Sequence, residues 1–143
     1  MELLPNAMSF RVINTIDVID DAQIPSDFTG RVRRTFESEQ RYVAWYTDGR
    51  LDDPTRGYPA YRVYRAGGQV KYEMHYRLGV LHDPDPNTPA VRGYYANGAV
   101  HYEERYCDGQ RHDGPRGQAA VRKWRANGTL RHELHYHHGT RIR

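Results

Sequence analysis

Along most of the chain, apolar and polar positions alternate with a period of two. Val70, Tyr72, Met74 and Tyr76 alternate with Lys71, Glu73 and His75. The same alternation returns as Val100, Tyr102, Glu104 and Tyr106 against His101, Glu103 and Arg105. It returns again as Leu130, His132, Leu134 and Tyr136 against Arg131, Glu133 and His135. A period of two places successive side chains on opposite faces of a strand. The first set reads as the more buried face and the second as a ladder of alternating charge. No stretch carries the 3.6-residue period of an amphipathic helix, so the pattern predicts an all-β fold.

The strands recur at an interval of thirty residues without a gap. Ala60, Ala90 and Ala120 align, as do Arg62, Arg92 and Arg122. The glycines Gly68, Gly98 and Gly128 align, followed by Glu73, Glu103 and Glu133 and by Gly79, Gly109 and Gly139. A fixed period of this length marks a repeat array. Each unit reads as a β-hairpin followed by a connector rich in Pro, Gly and Asp. The hairpin turns fall at Gly68, at Asn97-Gly98 and at Asn127-Gly128. Asn-Gly favours a two-residue type I′ turn, with φ above zero at both residues. That turn sets Arg92 opposite Glu103 and Tyr94 opposite His101. Thirty residues either way it sets Arg62 opposite Glu73 and Tyr64 opposite Lys71, then Arg122 opposite Glu133 and Trp124 opposite Arg131. Facing opposite charges, and aromatics facing cations, stabilise a sheet by about 0.2–1 kcal/mol each.

Tyr46, Gly49, Leu51, Asp53 and Pro54 fit the same columns, so a degenerate first unit precedes the three clear ones. The array spans 30–143 as one continuous body of four hairpin repeats, 30–59, 60–89, 90–119 and 120–143. The first unit has Glu37-Ser38 at its turn, and Val32 and Val43 where the others pair Arg with Glu. Terminal units of an array are atypical because one face has no neighbour. Residues 1–29 form an N-terminal extension: Phe10–Ile19 reads as a strand covering the first edge, the segment from Asp20 to Gly30 as a loop, and Met1–Ala7 as loose. The expected architecture is therefore an elongated, twisted antiparallel sheet of tandem 30-residue hairpins with an N-terminal cap strand.

Composition narrows this further. Hydrophobic residues make up 38% of the chain, and Tyr supplies 12 residues against 3 Phe and 2 Trp, which suits a thin sheet more than a thick aliphatic core. The single Cys107 excludes an intramolecular disulfide. The apolar run from Met8 to Asp20 is interrupted by Arg11, Asn14 and Asp17. It has no signal-peptide layout and is too polar to span a bilayer as a helix. The expectation is a cytoplasmic protein with no membrane span. Residues 1–30 carry five acidic side chains against Arg11, a local charge of −4. The whole chain is at +3, so residues 31–143 carry +7.

The stretch "YYANGAVHYEERYCDGQRHDGP" resembles the MORN-type repeat, in particular the bacterial variant built on YY-x-NG and DG-x-x-x-G. The connectors "GVLHDPDPNTPAV" and "GQRHDGPRGQAAV" are similar to the related "G-x-L-H-x-x-D-G-P-A" repeats of bacterial, phage and large-virus proteins. The resemblance covers about residues 40–143. It implies hairpins joined in one long sheet, a scaffold for protein contact, sometimes with phospholipid, and an antitoxin role in bacterial variants. The thirty-residue period departs from the family's shorter unit and implies longer connectors.

The candidate chemistry is sparse. "HELHYHHG" invites a metal reading, but His75 aligns with Arg105 and His101 with Lys71, so the histidines stand in for other polar residues and no metal or other cofactor is expected. His82-Asp83 and His112-Asp113 recur in successive connectors, whereas a catalytic site is built once from dissimilar parts. No nucleophile elbow or phosphate loop is present, so no catalytic residue is assigned and the chain is not expected to be an enzyme. The expected role is a non-catalytic protein-binding module, an adaptor or inhibitor of antitoxin or phage anti-defence type. Its partner-binding face carries Arg62, Tyr64, Arg92, Tyr94, Arg122 and Trp124, with self-association through a sheet edge or face as a further option. Two alternatives remain open. One is nucleic-acid binding by the same basic and aromatic residues, which resemble a single-strand platform although the Glu column runs through them. The other is a phage structural or assembly component.

Overall fold

The computed structural model describes residues 2–3, 10–11 and 14–143; for residues 2–3 and 10–11 the description is of the backbone. Its strands are β1 (Glu2–Leu3), β2 (Phe10–Arg11), β3 (Thr15–Val18), β4 (Gly30–Thr35), β5 (Arg41–Thr47) and β6 (Arg50–Leu51). There follow β7 (Tyr61–Tyr64), β8 (Val70–Met74), β9 (Tyr76–Arg77), β10 (Val80–Leu81), β11 (Val91–Tyr94) and β12 (Val100–Glu104). The last six are β13 (Tyr106–Cys107), β14 (Gln110–Arg111), β15 (Val121–Trp124), β16 (Leu130–Leu134), β17 (Tyr136–His137) and β18 (Thr140–Arg141). One ten-stranded open sheet runs β16-β15-β12-β11-β8-β7-β5-β4-β3, with β6 attached to β5. The expected all-β sheet of tandem hairpins is what the chain forms.

The cap differs from its expected form. The strand within Phe10–Ile19 is shorter, Thr15–Val18, and it lies parallel to β4. A parallel neighbour needs a crossover. The segment between Val18 and Gly30 supplies it, through a 3-10 turn at Asp21–Gln23 closed by a capping box from Asp20. Phe10–Arg11 pairs instead with Glu2–Leu3. The expectation of a loose Met1–Ala7 otherwise falls outside the described residues.

The main hairpin turns also differ. Arg92↔Glu103 and Gly93↔Tyr102 pair as expected, but the register then shifts, and Tyr94 meets Val100. In the same way Tyr64 meets Val70, not Lys71, and Trp124 meets Leu130, not Arg131. The turn is a three-residue loop: the Gly98 N–H donates to the Tyr95 carbonyl at 2.9 Å, and the Tyr95 N–H donates to the Ala99 carbonyl at 2.8 Å. Gly98 has φ +88 and Asn97 is not at positive φ, so this is a type I turn closed by a left-handed glycine. Asn97 acts through its side chain, accepting the Ala99 N–H at 3.0 Å. Lys71, His101 and Arg131 are the extra residues at the register shifts.

True two-residue turns occur in the connectors. Each connector holds a second, smaller hairpin, β9–β10, β13–β14 or β17–β18. Leu78-Gly79, Asp108-Gly109 and His138-Gly139 have positive φ at both residues, as does Asp48-Gly49 between β5 and β6. These small hairpins stack on one another. The Gly109 N–H donates to the Leu81 carbonyl at 2.9 Å and the Gly139 N–H to the Arg111 carbonyl at 2.8 Å.

The main core sits at the N-terminal end, where Val18, Val32, Tyr42, Ala44 and Val63 cluster with Ile16, Phe28 and Tyr72 against them. Tyr61 lies between Tyr42 and Tyr72 with ring centroids at 5.2 and 6.3 Å. Farther along, the sheet thins to alanine and valine. Ala90 and Ala120 are fully buried, and a Cβ at Gly93 would meet the Tyr102 ring at 2.2 Å.

Candidate functional site

Three arrangements gather the polar side chains. The first is a row of alternating charge that crosses the sheet perpendicular to its strands. Register sets Asp17 beside Arg33, Arg33 beside Val43, and Val43 beside Arg62. The row continues Arg62, Glu73, Arg92, Glu103, Arg122, Glu133 through five successive strand pairings. The guanidinium-to-carboxylate distances are 2.8 Å for Arg62–Glu73, 2.6 Å for Arg92–Glu103, 2.8 Å for Arg122–Glu133 and 2.9 Å for Arg33–Asp17. The sequence reading expected Val32 opposite Val43. The turn of the first unit lies one residue later than in the others, with the Phe36 N–H donating to the Gln40 carbonyl at 2.8 Å and Glu39 at φ +65, so Arg33 falls opposite Val43 and the row runs on to Asp17.

Aromatic rings border this row. The Tyr94 hydroxyl donates to Glu73 at 3.1 Å, and Arg62 lies 3.5 Å from the Tyr64 hydroxyl. Arg41 sits over Tyr64, and Arg62 over Tyr58, at 4.8 and 5.2 Å from the ring centres. Trp45 extends the face, with Arg31 over its ring at 5.5 Å and Tyr58 edge-on at 6.4 Å. Trp45 and Tyr58 escaped the sequence reading because the first unit lacks the Arg–Glu columns that marked the others. Burial disfavours the charged forms of Arg62 and Arg92. Tyr64 and Glu73 outweigh it for the first, Glu103 and Tyr94 for the second, and both guanidinium pKa values rise. Of the expected partner-binding residues, Arg62 and Tyr94 line one shallow groove with Gln69, Val70, Glu73 and Gly98. Arg92, Arg122 and Trp124 follow along the sheet.

The second arrangement accounts for the recurrent Asp of the connectors. Asp83 Oδ1 accepts the Ala90 and Tyr106 N–H groups at 2.8 and 2.9 Å, while Oδ2 meets Arg105 at 3.2 Å. Asp53 repeats this with Ala60, Tyr76 and the His75 Nδ1 at 2.8 Å, and Asp113 with Ala120, Tyr136 and the His135 Nδ1 at 2.6 Å. Each carboxylate therefore ties its connector to the start of the next hairpin and to the two residues that follow that hairpin's second strand. His75 and Arg105 are 4% and 6% exposed, so the expectation that they lie on an outer charged face is corrected. The chain leaves the main strand at these residues, and the connector folds over them.

The third arrangement involves the connector residue just before each Asp. His82 Nδ1 accepts the Asp108 N–H at 3.2 Å, and His112 Nδ1 accepts the His138 N–H at 2.9 Å, each steadying the next small hairpin. The recurrent His-Asp dipeptides thus point into two separate hydrogen-bond sets. His112 also gathers His137 and His138, with ring centroids 4.9 and 4.4 Å away and one ring nitrogen from each of the three within 4.8 Å of the others. Burial, then the neighbouring His138 and His137, hold the His112 pKa below its ordinary value. His135, in the same HELHYHHG segment, is turned to Asp113 and stands apart from this group.

Among the described residues no helix is long and apolar enough to cross a membrane. Comparison with protein-family models, curated proteins and solved structures gives no match.

Proposed function

We propose that this chain is a non-catalytic protein-binding module, an adaptor or inhibitor that grips its partner with the sheet face bearing the charged row. The observation that carries this is the balance of that row: four acidic and four basic side chains, mostly paired, edged by Tyr64, Tyr94, Trp124, Trp45 and Tyr58. A face of alternating sign has no strong field for phosphates, yet offers rigid aromatic anchors and oriented charges for a complementary protein surface. The MORN-type resemblance supports a scaffold role, of which antitoxin or anti-defence inhibition is one version.

The test is affinity capture from nuclease-treated host lysate, comparing the native chain with a Tyr94→Ala/Trp124→Ala variant. A protein species retained near physiological salt, about 0.15 M, and at several-fold higher salt, but lost with the variant, supports the reading. Equal retention by both chains counts against it, as does capture that occurs only from a parallel lysate left without nuclease. Nucleic-acid binding keeps one specific support: the register-shift column Lys71, His101 and Arg131 repeats a basic or imidazole side chain at unit spacing.

A further inference from the structure

The small hairpins stack through one repeated contact, and its chemistry changes at the last step. At the first step the Asp52 carboxylate accepts the Leu78 N–H at 2.9 Å. At the second, His82 accepts the Asp108 N–H, and the Asp108 carboxylate lies 3.6 Å from the same imidazole. At the third, His138 takes the place of Asp108, and His137 takes the place of Cys107. The acidic neighbour of the imidazole has become a second imidazole, with a third beside it. His137 and His138 are exposed and His112 is half-buried. The three rings lie at 4.4–4.9 Å centroid spacing, which sets a ring nitrogen of each beside those of the other two.

We propose that His112, His137 and His138 form a binding site for a divalent late transition-metal cation such as Zn2+, Co2+ or Ni2+. Neutral imidazole is a preferred ligand of these ions, with metal–nitrogen distances of about 2.0–2.1 Å. Ligand atoms already within 4.8 Å of one another need only small side-chain rotations to close on one ion. Three protein ligands leave a fourth position for water or for a side chain of a bound partner. Hard ions such as Mg2+ and Ca2+ prefer oxygen ligands, so the site discriminates against them. The site has one identifiable cost. His112 Nδ1 accepts the His138 N–H, which leaves the proton on Nε2. To ligate, His112 turns its ring and gives up that hydrogen bond, a net loss of the size of one exposed hydrogen bond. In return the cation clips the last small hairpin to the return strand of the one before it.

The sequence makes the site hard to see, because His112 stands twenty-five residues before His137. The stacking of β17–β18 on β14 brings them together.

The test is titration of the purified chain with Co2+ and Zn2+, followed by calorimetry, the visible Co2+ spectrum and thermal melting. The expected result is one ion per chain with a dissociation constant of about 10 μM or tighter, tetrahedral-type Co2+ absorption, and a melting midpoint that rises with Zn2+ but not with Mg2+. His112→Gln keeps an acceptor for the His138 N–H, so the fold is retained while a ligand is lost. His112→Gln and His138→Ala should each weaken binding at least tenfold, and His101→Ala should leave it unchanged. Binding weaker than about 100 μM overturns the proposal. So does binding that survives both His112→Gln and His138→Ala, or that needs several ions spread over the other histidines.

Discussion

The Arg105 guanidinium lies 3.2 Å from the Asp83 carboxylate, at the position where His75 meets Asp53 and His135 meets Asp113. Arg105 is 6% exposed and also reaches the Pro86 carbonyl at 3.3 Å. A buried cation whose partner is removed keeps its desolvation cost and loses its compensation, a penalty of about 3–5 kcal/mol. Asp83→Ala also strands the Ala90 and Tyr106 N–H groups. We expect it to lower stability by about 4 kcal/mol in denaturant melts. Arg105→His should cost far less, below about 1.5 kcal/mol, because two other units already fill the position with an imidazole.

The two kinds of turn respond differently to substitution. Gly98 has φ +88, and a Cβ there meets no atom within 4 Å, so only backbone strain opposes a side chain. Gly98→Val should cost more than about 1 kcal/mol, and Gly98→Asn clearly less. Leu78 has the opposite problem, being a bulky residue at φ +46 that is 49% exposed. The equivalent positions in other units hold Asp48 and Asp108 at φ +48 and +49. Leu78→Asn should therefore raise stability by about 0.5–1 kcal/mol, read as an upward shift of the melting midpoint.

The hairpins, their interval and the Arg–Glu pairs were legible because they depend on side-chain parity and on turn glycines. The turn geometry was not. Asn-Gly serves both a two-residue loop and a type I turn closed by glycine, and the two differ by a single residue of register. That residue decided whether Tyr94 faced His101 or Val100. The burial of His75 and Arg105 was hidden for another reason. Parity assigns a face only while the strand continues, and the chain turns at both residues. Asp53, Asp83 and Asp113 were legible as a column but not as ties, since their partners lie seven, twenty-two and twenty-three residues downstream.

Acid should weaken the fold in two stages. Burial, reinforced by His138 and His137, lowers the His112 pKa from 6.5, so the folded state favours its neutral form. That contribution is complete above about pH 6.5 and fades as the pH falls through the lowered value. Burial raises the Asp113 carboxyl, but the His135 hydrogen bond and the Tyr136 and Ala120 N–H groups outweigh it, and its pKa lies below 3.8. Its contribution is complete above about pH 4 and is lost as the pH falls through that lower value. Asp83 acts in the opposite sense, because burial raises its pKa and its hydrogen bonds do not fully compensate. His112→Gln should remove the first stage, which begins as the pH falls below about 6.5, and leave the second. Melting midpoints across pH for the two chains check this.

The N-terminal segment should behave as part of the core. Val18 is 6% exposed and packs with Val32, Tyr42, Ala44 and Val63, while β3 covers the free edge of β4. A chain beginning at Gly30 opens that edge and uncovers Val32. It should self-associate in light scattering and melt at lower temperature. A monomer of unchanged stability would show that the segment is an appendage.

The charged row separates the two binding classes through salt. Residues 31–143 carry +7, which by itself favours phosphate contact. Yet Arg62, Arg92 and Arg122 each have a carboxylate within 2.8 Å, and a phosphate would have to displace it. Each phosphate contact on duplex DNA contributes a slope of about −0.9 to the dependence of log affinity on log salt. A face whose cations are already neutralised releases few counterions and should show a shallow slope. We expect no binding to generic single- or double-stranded oligonucleotides tighter than about 10 μM at physiological salt. Fluorescence anisotropy across a salt series measures both quantities. Charge reversal of Glu73, Glu103 and Glu133 to Lys should create the missing field and steepen the slope. Sub-micromolar binding by the native chain, abolished by Arg92→Glu and Arg122→Glu, would move the nucleic-acid reading ahead of the protein-binding one. The row would then work by exchanging its internal carboxylates for phosphates.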